Sequence, residues 1–513
     1  MKHNSRTNNA IKNVGIAGTL QVLTLLLSFV SRTFFVKLLG NDYLSCDGLF
    51  TNILTILSFS ELGIGSAIIF SLYKPIAEDD YIQISKLMNM FRTSYRYIAS
   101  FISIVGLSII PFLSYLVKDV PDVKENISVI YCLFLANTVA SYIFGYKRSF
   151  LIANQENYIV LLIQQVFNVI KTVLQVVFLY FTHNYIVYLL ITIICTLLTN
   201  IISTIITNKK YPFIKKYKNK RLTSEEKKPI FSNISSILQY KLGSVILNGT
   251  DNIIISLFLK TSYVGICSNY NMIINAVSII VNQAANGLQA TIGNFNVTSN
   301  KEERYRIFKQ LYFITFWLFG FFSISLANLL TPFITDVWLG KNYSLQYEVV
   351  IALSLSFFVN AINIIPSMFR TSLGYFKEAK MCPIIASILN IVLSIILAKI
   401  MGLSGVFFAT AISRIFTFNI IDPYYVFKRG FGMNAWVYFK RFFVYFGILI
   451  ANYYLTYLCV NCIKISGLFG FLLKLLVNVI VCNLIFTIIF FKTDLFKETI
   501  LLIKKKILRR KRT

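Results

Sequence analysis

The sequence predicts an all-α polytopic membrane protein of about 14 transmembrane helices: two pseudo-symmetric six-helix bundles plus two C-terminal helices. Three observations lead there. The 513 residues are 56% hydrophobic and only 14% charged, with a mean hydropathy of +0.67. A soluble domain cannot be that apolar, because its helices need polar outer faces. Apolar runs of the roughly 20 residues that a span requires recur along the whole chain, and basic residues gather in alternate connections.

The expected spans are 13–36, 46–73, 94–117, 127–146, 157–181, 184–207, 230–259, 264–292, 307–331, 345–368, 381–401, 403–427, 437–460 and 466–491. The connections are too short to hold a folded extramembrane domain, the longest being "NKKYPFIKKYKNKRLTSEEKKP", 208–229. The organisation is therefore an N-terminal lobe over 1–207, a basic linker over 208–229 and a C-terminal lobe over 230–428. Two extra helices over 429–492 and a basic tail over 493–513 complete it. With both termini in the cytoplasm, most of the 50 Lys+Arg fall on the inner side, and the net charge of +29 needs no nucleic acid to explain it. The basic linker and the tail "KKKILRRKR" suit anionic headgroups. The first apolar run has no following cleavage site, so it reads as a retained span.

Several chemistries are excluded. Two histidines, His3 and His183, support neither a metal site nor a catalytic triad. Most of the eight cysteines lie inside apolar runs, and Cys459 with Cys462 lacks the second pair that zinc would need. No GxxxxGK[ST] occurs, which argues against an ATP-driven pump. Neither a cofactor nor a metal is expected.

Polar residues inside the spans have to face a bundle interior or a wet cavity. The eighth span carries the longest polar stripe: Asn271, Asn275, Ser278, Asn282, Asn286, Gln289 and Gly293, at helical spacing. The fifth has Gln164, Asn168, Lys171 and Gln175; the seventh Lys241, Ser244, Asn248 and Asp251; the tenth Ser356, Asn360, Asn363 and Ser367. Such stripes either join helices by hydrogen bonds or wall a cavity. Arg32, Lys171, Lys241, Arg414 and Lys474 are the cations in the spans, with Glu61 and Asp251 as the acids. Arg32 and Lys474 are near enough to the outer surface to snorkel, whereas Lys171 and Lys241 are deeper. Cations in excess attract an anionic cargo, and the amides suit a ligand rich in hydroxyls. Arg32, Lys171, Lys241, Arg414, Asn271, Asn275, Asn282 and Asn286 are the expected substrate contacts. Glu61 and Asp251 are candidates for coupling to H⁺ or Na⁺, or for ion pairs.

Residues 39–58 and 259–278 also align at an offset of 220, with Leu39, Tyr43, Ile53 and Ser58 matching Leu259, Tyr263, Ile273 and Ser278. A parallel repeat of the two lobes would follow. It maps Arg32 onto Asn252, beside Asp251, and suggests that Arg32 and Asp251 pair across a cleft.

The block "SRTFFVKLLGNDYLSCDGLFTNILTILSFSELGIGSAIIFSLYKPIAEDD" (31–80) and the block "GTDNIIISLFLKTSYVGICSNYNMI" (249–273) resemble Wzx-type oligosaccharide flippases. These form the polysaccharide-transporter branch of the multidrug/oligosaccharidyl-lipid/polysaccharide exporter superfamily. Ile266 and Cys267 depart mildly from the relatives' pattern. The resemblance implies two six-helix bundles around a central cavity that works by alternating access. It implies a cargo of undecaprenyl-diphosphate-linked oligosaccharide, moved across the bacterial cytoplasmic membrane for capsule, exopolysaccharide or a similar polymer. Arg32 is then the first choice for meeting the diphosphate, and Glu61 is next in interest. Membrane lipids, and the polymerase and glycosyltransferases of the pathway, are the implied partners. A lipid II flippase, a multidrug exporter of the same superfamily and a polysaccharide polymerase or ligase stand as alternatives. The last would need a large outer loop, which is missing here.

Overall fold

A computed structural model describes residues 2–58, 64–117, 122–217, 220–227, 230, 243, 245–247, 249–375 and 378–499. These residues are almost entirely helical, and no strand occurs among them. The chain divides into two compact units, Met1–Gly265 and Ile266–Thr513.

In the first unit, α1 (Lys2–Leu39) and α2 (Asn41–Leu57) are separated by Gly40, whose φ of +90° suits only glycine. Then come α3 (Ile64–Ala77), α4 (Tyr81–Ile109), α5 (Ile127–Tyr142), α6 (Tyr146–Ala153), α7 (Asn157–Thr182), α8 (Tyr185–Lys210) and α9 (Asp251–Phe258). Side-chain caps start three of them. Asp80 accepts from the Gln83 amide at 2.9 Å for α4, Asn126 from that of Ser128 for α5, and Asn184 from those of Ile186 and Val187 for α8. α7 packs on both α1 and α8, and α8 on α5.

The division of the chain falls inside α10 (Thr261–Thr298). The second unit continues with α11 (Lys301–Pro332), α12 (Tyr347–Ile362), α13 (Ile364–Ser372), α14 (Cys382–Met401), α15 (Leu403–Phe416), α16 (Phe418–Tyr425), α17 (Trp436–Asn461) and α18 (Gly467–Phe490). Asn300 caps α11, and Glu302 and Glu303 in its first turn complement the helix dipole. α15 packs on α12 and α14, while α17 and α18 both pack on α11.

Aromatic and amide contacts attach the last two helices. Phe316 of α11 stacks on Tyr445 of α17 at 4.2 Å and meets Phe486 of α18 edge-on at 5.5 Å. Asn328 donates to Asn478 at 3.0 Å, Asn478 to Ser325 at 2.8 Å, and Trp317 to Asn483 at 3.0 Å. In an apolar solvent such bonds hold helices together where the hydrophobic effect cannot.

Among the described residues, ten helices are long and apolar enough to cross a membrane, and eleven when α5 and α6, bent by 44°, are taken as one span. About fourteen spans were expected. The second, seventh and eighth expected spans are the ones outside this set. Residues 59–63 between α2 and α3 are not described, and neither is most of 231–248. The eighth expected span is one helix, α10, and most side chains of its second half, from 280 on, lie outside the described ones. The tenth and twelfth expected spans are each divided, at Asn363 and Thr417.

Candidate functional site: a cationic cluster in the first unit

α1, α2 and α7 bring together two cations and one carboxylate. Arg32 of α1 and Lys171 of α7 are the two charges whose fields act on Asp47 of α2. All three side chains are partly exposed, so each can meet a ligand or water. Tyr188 of α8 also feels Arg32 and Asp47 and hydrogen-bonds Ser31. Phe35, Tyr185 and Tyr188 pack around this point, with Tyr185 and Tyr188 stacked at 5.9 Å. Cations outnumber the acid two to one in this cluster, and an aromatic wall stands beside it. The arrangement is equipped to hold an anion bearing a polar, ring-shaped group.

The fifth-span stripe divides by role. Lys171 belongs to the cluster, but Gln175 is buried and donates to Thr192 of α8 at 2.8 Å. Next to the stripe, buried Gln165 accepts from Thr24 of α1 at 2.7 Å. These two glutamines join α7 to its neighbours, as one of the two roles expected of such residues requires.

The other expected contacts lie elsewhere. Arg414 of α15 donates to Asn360 of α12 at 2.6 Å, joining two residues that the sequence picked independently. On α10, Asn271 is half-buried and Asn275 and Asn282 are exposed, while of Asn286 only the backbone is described. Asp251 opens α9, where the helix N-terminus favours a carboxylate. Glu61 and Lys241 lie outside the described residues. Lys474, expected to snorkel, lies 4.0 Å from Asp336.

Residues 41–45 and 262–265 meet closely. Ser45 accepts from the Gly265 amide at 3.2 Å, and these two positions are equivalent under the offset. Asn41 donates to the Ser262 carbonyl at 2.9 Å. A Cβ on Gly265 would lie 2.5 Å from the Asn41 Oδ1 and 2.8 Å from its carbonyl oxygen, so only glycine fits.

Two acids and a cation correct the list of intramembrane charges. Asp47 belongs to the first cluster. Asp422 of α16 and Arg370 of α13 form an ion pair at 2.7 Å, both almost fully buried. Asn363 donates to the second Asp422 oxygen at 2.8 Å, and Arg370 to the Tyr375 carbonyl at 3.0 Å. Each of the three residues sits within about two turns of an expected span end, so a count of span interiors passes over it. The signal available was Asn363, already on a stripe.

The linker is held as well. Lys86 of α4 pairs with Glu226 at 3.0 Å, and Asn89 donates to the Lys220 carbonyl at 2.9 Å. The Thr223 amide and then Lys86 hold the Glu226 carboxyl below the usual 4.5.

Residues 10–292 match the family described as polysaccharide biosynthesis protein. The chain belongs to that family. As a polysaccharide biosynthesis protein, it has the fold of several solved membrane transporters. One is a lipid II flippase, MurJ, in an inward closed conformation, at 16% identity and a TM-score of 0.61, covering 92% of this chain and 98% of the other. Another is an inward-facing multidrug resistance MATE transporter of the MOP superfamily, at 14% identity and a TM-score of 0.61, covering 77% and 93%. A point mutant of the Vibrio cholerae MATE transporter VcmN follows at 13% identity and a TM-score of 0.53, covering 80% and 95%. No curated protein sequence matches the chain. These solved proteins are a flippase and transporters, not enzymes, and this multi-pass family member shares their helical architecture.

Proposed function

We propose that the protein is a flippase that moves undecaprenyl-diphosphate-linked oligosaccharide repeat units across the bacterial cytoplasmic membrane by alternating access. The observation that carries this proposal is the Arg32–Asp47–Lys171 cluster, on helices matched by a polysaccharide biosynthesis family. A diphosphate entering the cluster meets two cations, which offset its cost of leaving water. Asp47 is the resting counter-ion that the cargo displaces. Tyr188 beside it, partly exposed, offers a ring face to the first sugar. In this reading Lys241 and Arg414 are further cations for the cargo, and Asn271, Asn275, Asn282 and Asn286 meet the glycan hydroxyls. The polyprenyl tail stays in lipid.

In this proposal the lobes are 1–207 and 230–428, joined by the 208–229 linker, and both termini are cytoplasmic. Glu61 and Asp251, and with them Asp47, are the carboxylates we assign to coupling with H⁺ or Na⁺, or to ion pairs. The product feeds a polymerase that builds a surface polysaccharide such as capsule.

The test is reconstitution in liposomes with a fluorescent undecaprenyl-diphosphate oligosaccharide and a membrane-impermeant quencher. Protein-dependent quenching beyond the outer-leaflet share supports the proposal; quenching equal to that of empty liposomes contradicts it. A second reading takes lipid II as the cargo, since the fold is shared with a lipid II flippase. Growth rescue of cells depleted of their lipid II flippase would select that cargo.

A further inference from the structure

Lys440 and Arg441 take no part in this mechanism, yet they face a cavity of about 550 Å³ at one end of the last two helices. Val437 and Val444 of α17 and Phe490 of α18 form apolar walls, and Trp436 stands at the edge, 64% exposed. Among the described residues, no carboxylate lies within 4.0 Å of either cation. The nearest acids in sequence to the cavity lining are Asp494, which is exposed, and Glu498. Arg306, at 3.6 Å, and Gln310 already engage Glu498.

The cavity opens where α17 starts and α18 ends, at the membrane surface from which the basic tail departs. A tryptophan at the edge is characteristic of that level. A neutral lipid would leave both cations unanswered. A soluble anion would leave the apolar walls exposed. The chain's own tail, "KKKILRRKR", has the wrong sign.

We infer that this cavity binds one anionic phospholipid. Its phosphate lies on Lys440 and Arg441, and the start of an acyl chain runs along Val437 and Val444. Two cations near a headgroup, at roughly 1 kcal/mol each, correspond to about a thirtyfold preference for an anionic over a zwitterionic lipid.

Native mass spectrometry of the full chain tests this, with equimolar dioleoyl-phosphatidylglycerol and dioleoyl-phosphatidylcholine. The expected result is one phosphatidylglycerol retained after phosphatidylcholine has dissociated. Lys440→Gln with Arg441→Gln should remove the preference, and Lys497→Gln should not. Should the double variant fold poorly, Val444→Trp, at an exposed position, fills the cavity with both charges intact and should also abolish retention. Equal retention of the two lipids by the wild type would overturn the inference, as would a folded double variant or a folded Val444→Trp that keeps the preference. Displacement of the lipid by millimolar inorganic phosphate would overturn it too, since a headgroup site alone would then explain the binding.

Discussion

Each unit sets an aspartate in the field of an arginine, and the two settings could hardly differ more. Arg370 and Asp422 in the second unit are 5% and 1% exposed, 2.7 Å apart, and further tied by Asn363 and the Tyr375 carbonyl. Arg32 and Asp47 in the first unit are both partly exposed and share their field with Lys171. A sealed, neutral pair has nothing to offer a cargo; it fixes α13 against α16. An accessible cluster with a surplus cation can exchange its carboxylate for another anion. Burial and stoichiometry, rather than the presence of an arginine, separate a fastening from a binding site.

The strongest way to break the comparison is to unpair the sealed site. Asp422→Asn leaves Arg370 buried and uncompensated, and should cost about 3–5 kcal/mol of stability. The check is thermal unfolding in detergent, where Arg370→Met with Asp422→Leu should recover most of the loss. A smaller effect is expected at the close approach under the 220-residue offset. Gly265→Ala forces a Cβ against the Asn41 side chain and carbonyl, and should cost roughly 1–3 kcal/mol. Yield of folded protein reads this out, and Asn41→Ala should relieve only the side-chain part. Gln175→Leu removes a helix-to-helix bond to Thr192 and should cost only about 0.6 kcal/mol; a loss of transport larger than this would mean that Gln175 also faces the cargo.

The weakest effect concerns the linker. The Glu226 carboxyl is held below its usual 4.5, so its contact with Lys86 is fully present above that value. It is lost as pH falls through the lowered one. Glu226→Gln should therefore speed proteolysis within 208–229 at neutral pH and change nothing in strong acid. The opposite pH pattern would refute the assignment.

Much of the fold was legible, because about 20 apolar residues have few other fates. Apolar runs located α7, α8, α14, α17 and α18 to within a few residues. Where the spans break was not legible. No local motif marks the breaks at Asn363 and Thr417, and only the folded chain shows that Asn363 bonds Asp422. The contact between Ser45 and Gly265 was not legible either, because a close approach needs one small residue and one donor and tolerates change elsewhere. In the site, Arg32 and Lys171 were legible as charges in apolar runs. Asp47 was not, because it lies at a span end where an acid costs little, and only the packing of α1 on α2 and α7 brings it within the fields of both cations.

The most direct measurement of the central claim is the flipping rate of Arg32→Gln with Lys171→Gln in the liposome assay, at matched protein level and melting temperature. Losing two charge-assisted contacts to a diphosphate, each worth about 1.5–3 kcal/mol, should slow flipping by at least about a hundredfold. The Lys440→Gln, Arg441→Gln variant should keep a near-normal rate. A doubly neutralised Arg32 and Lys171 cluster that flips the labelled lipid at the wild-type rate would contradict the account.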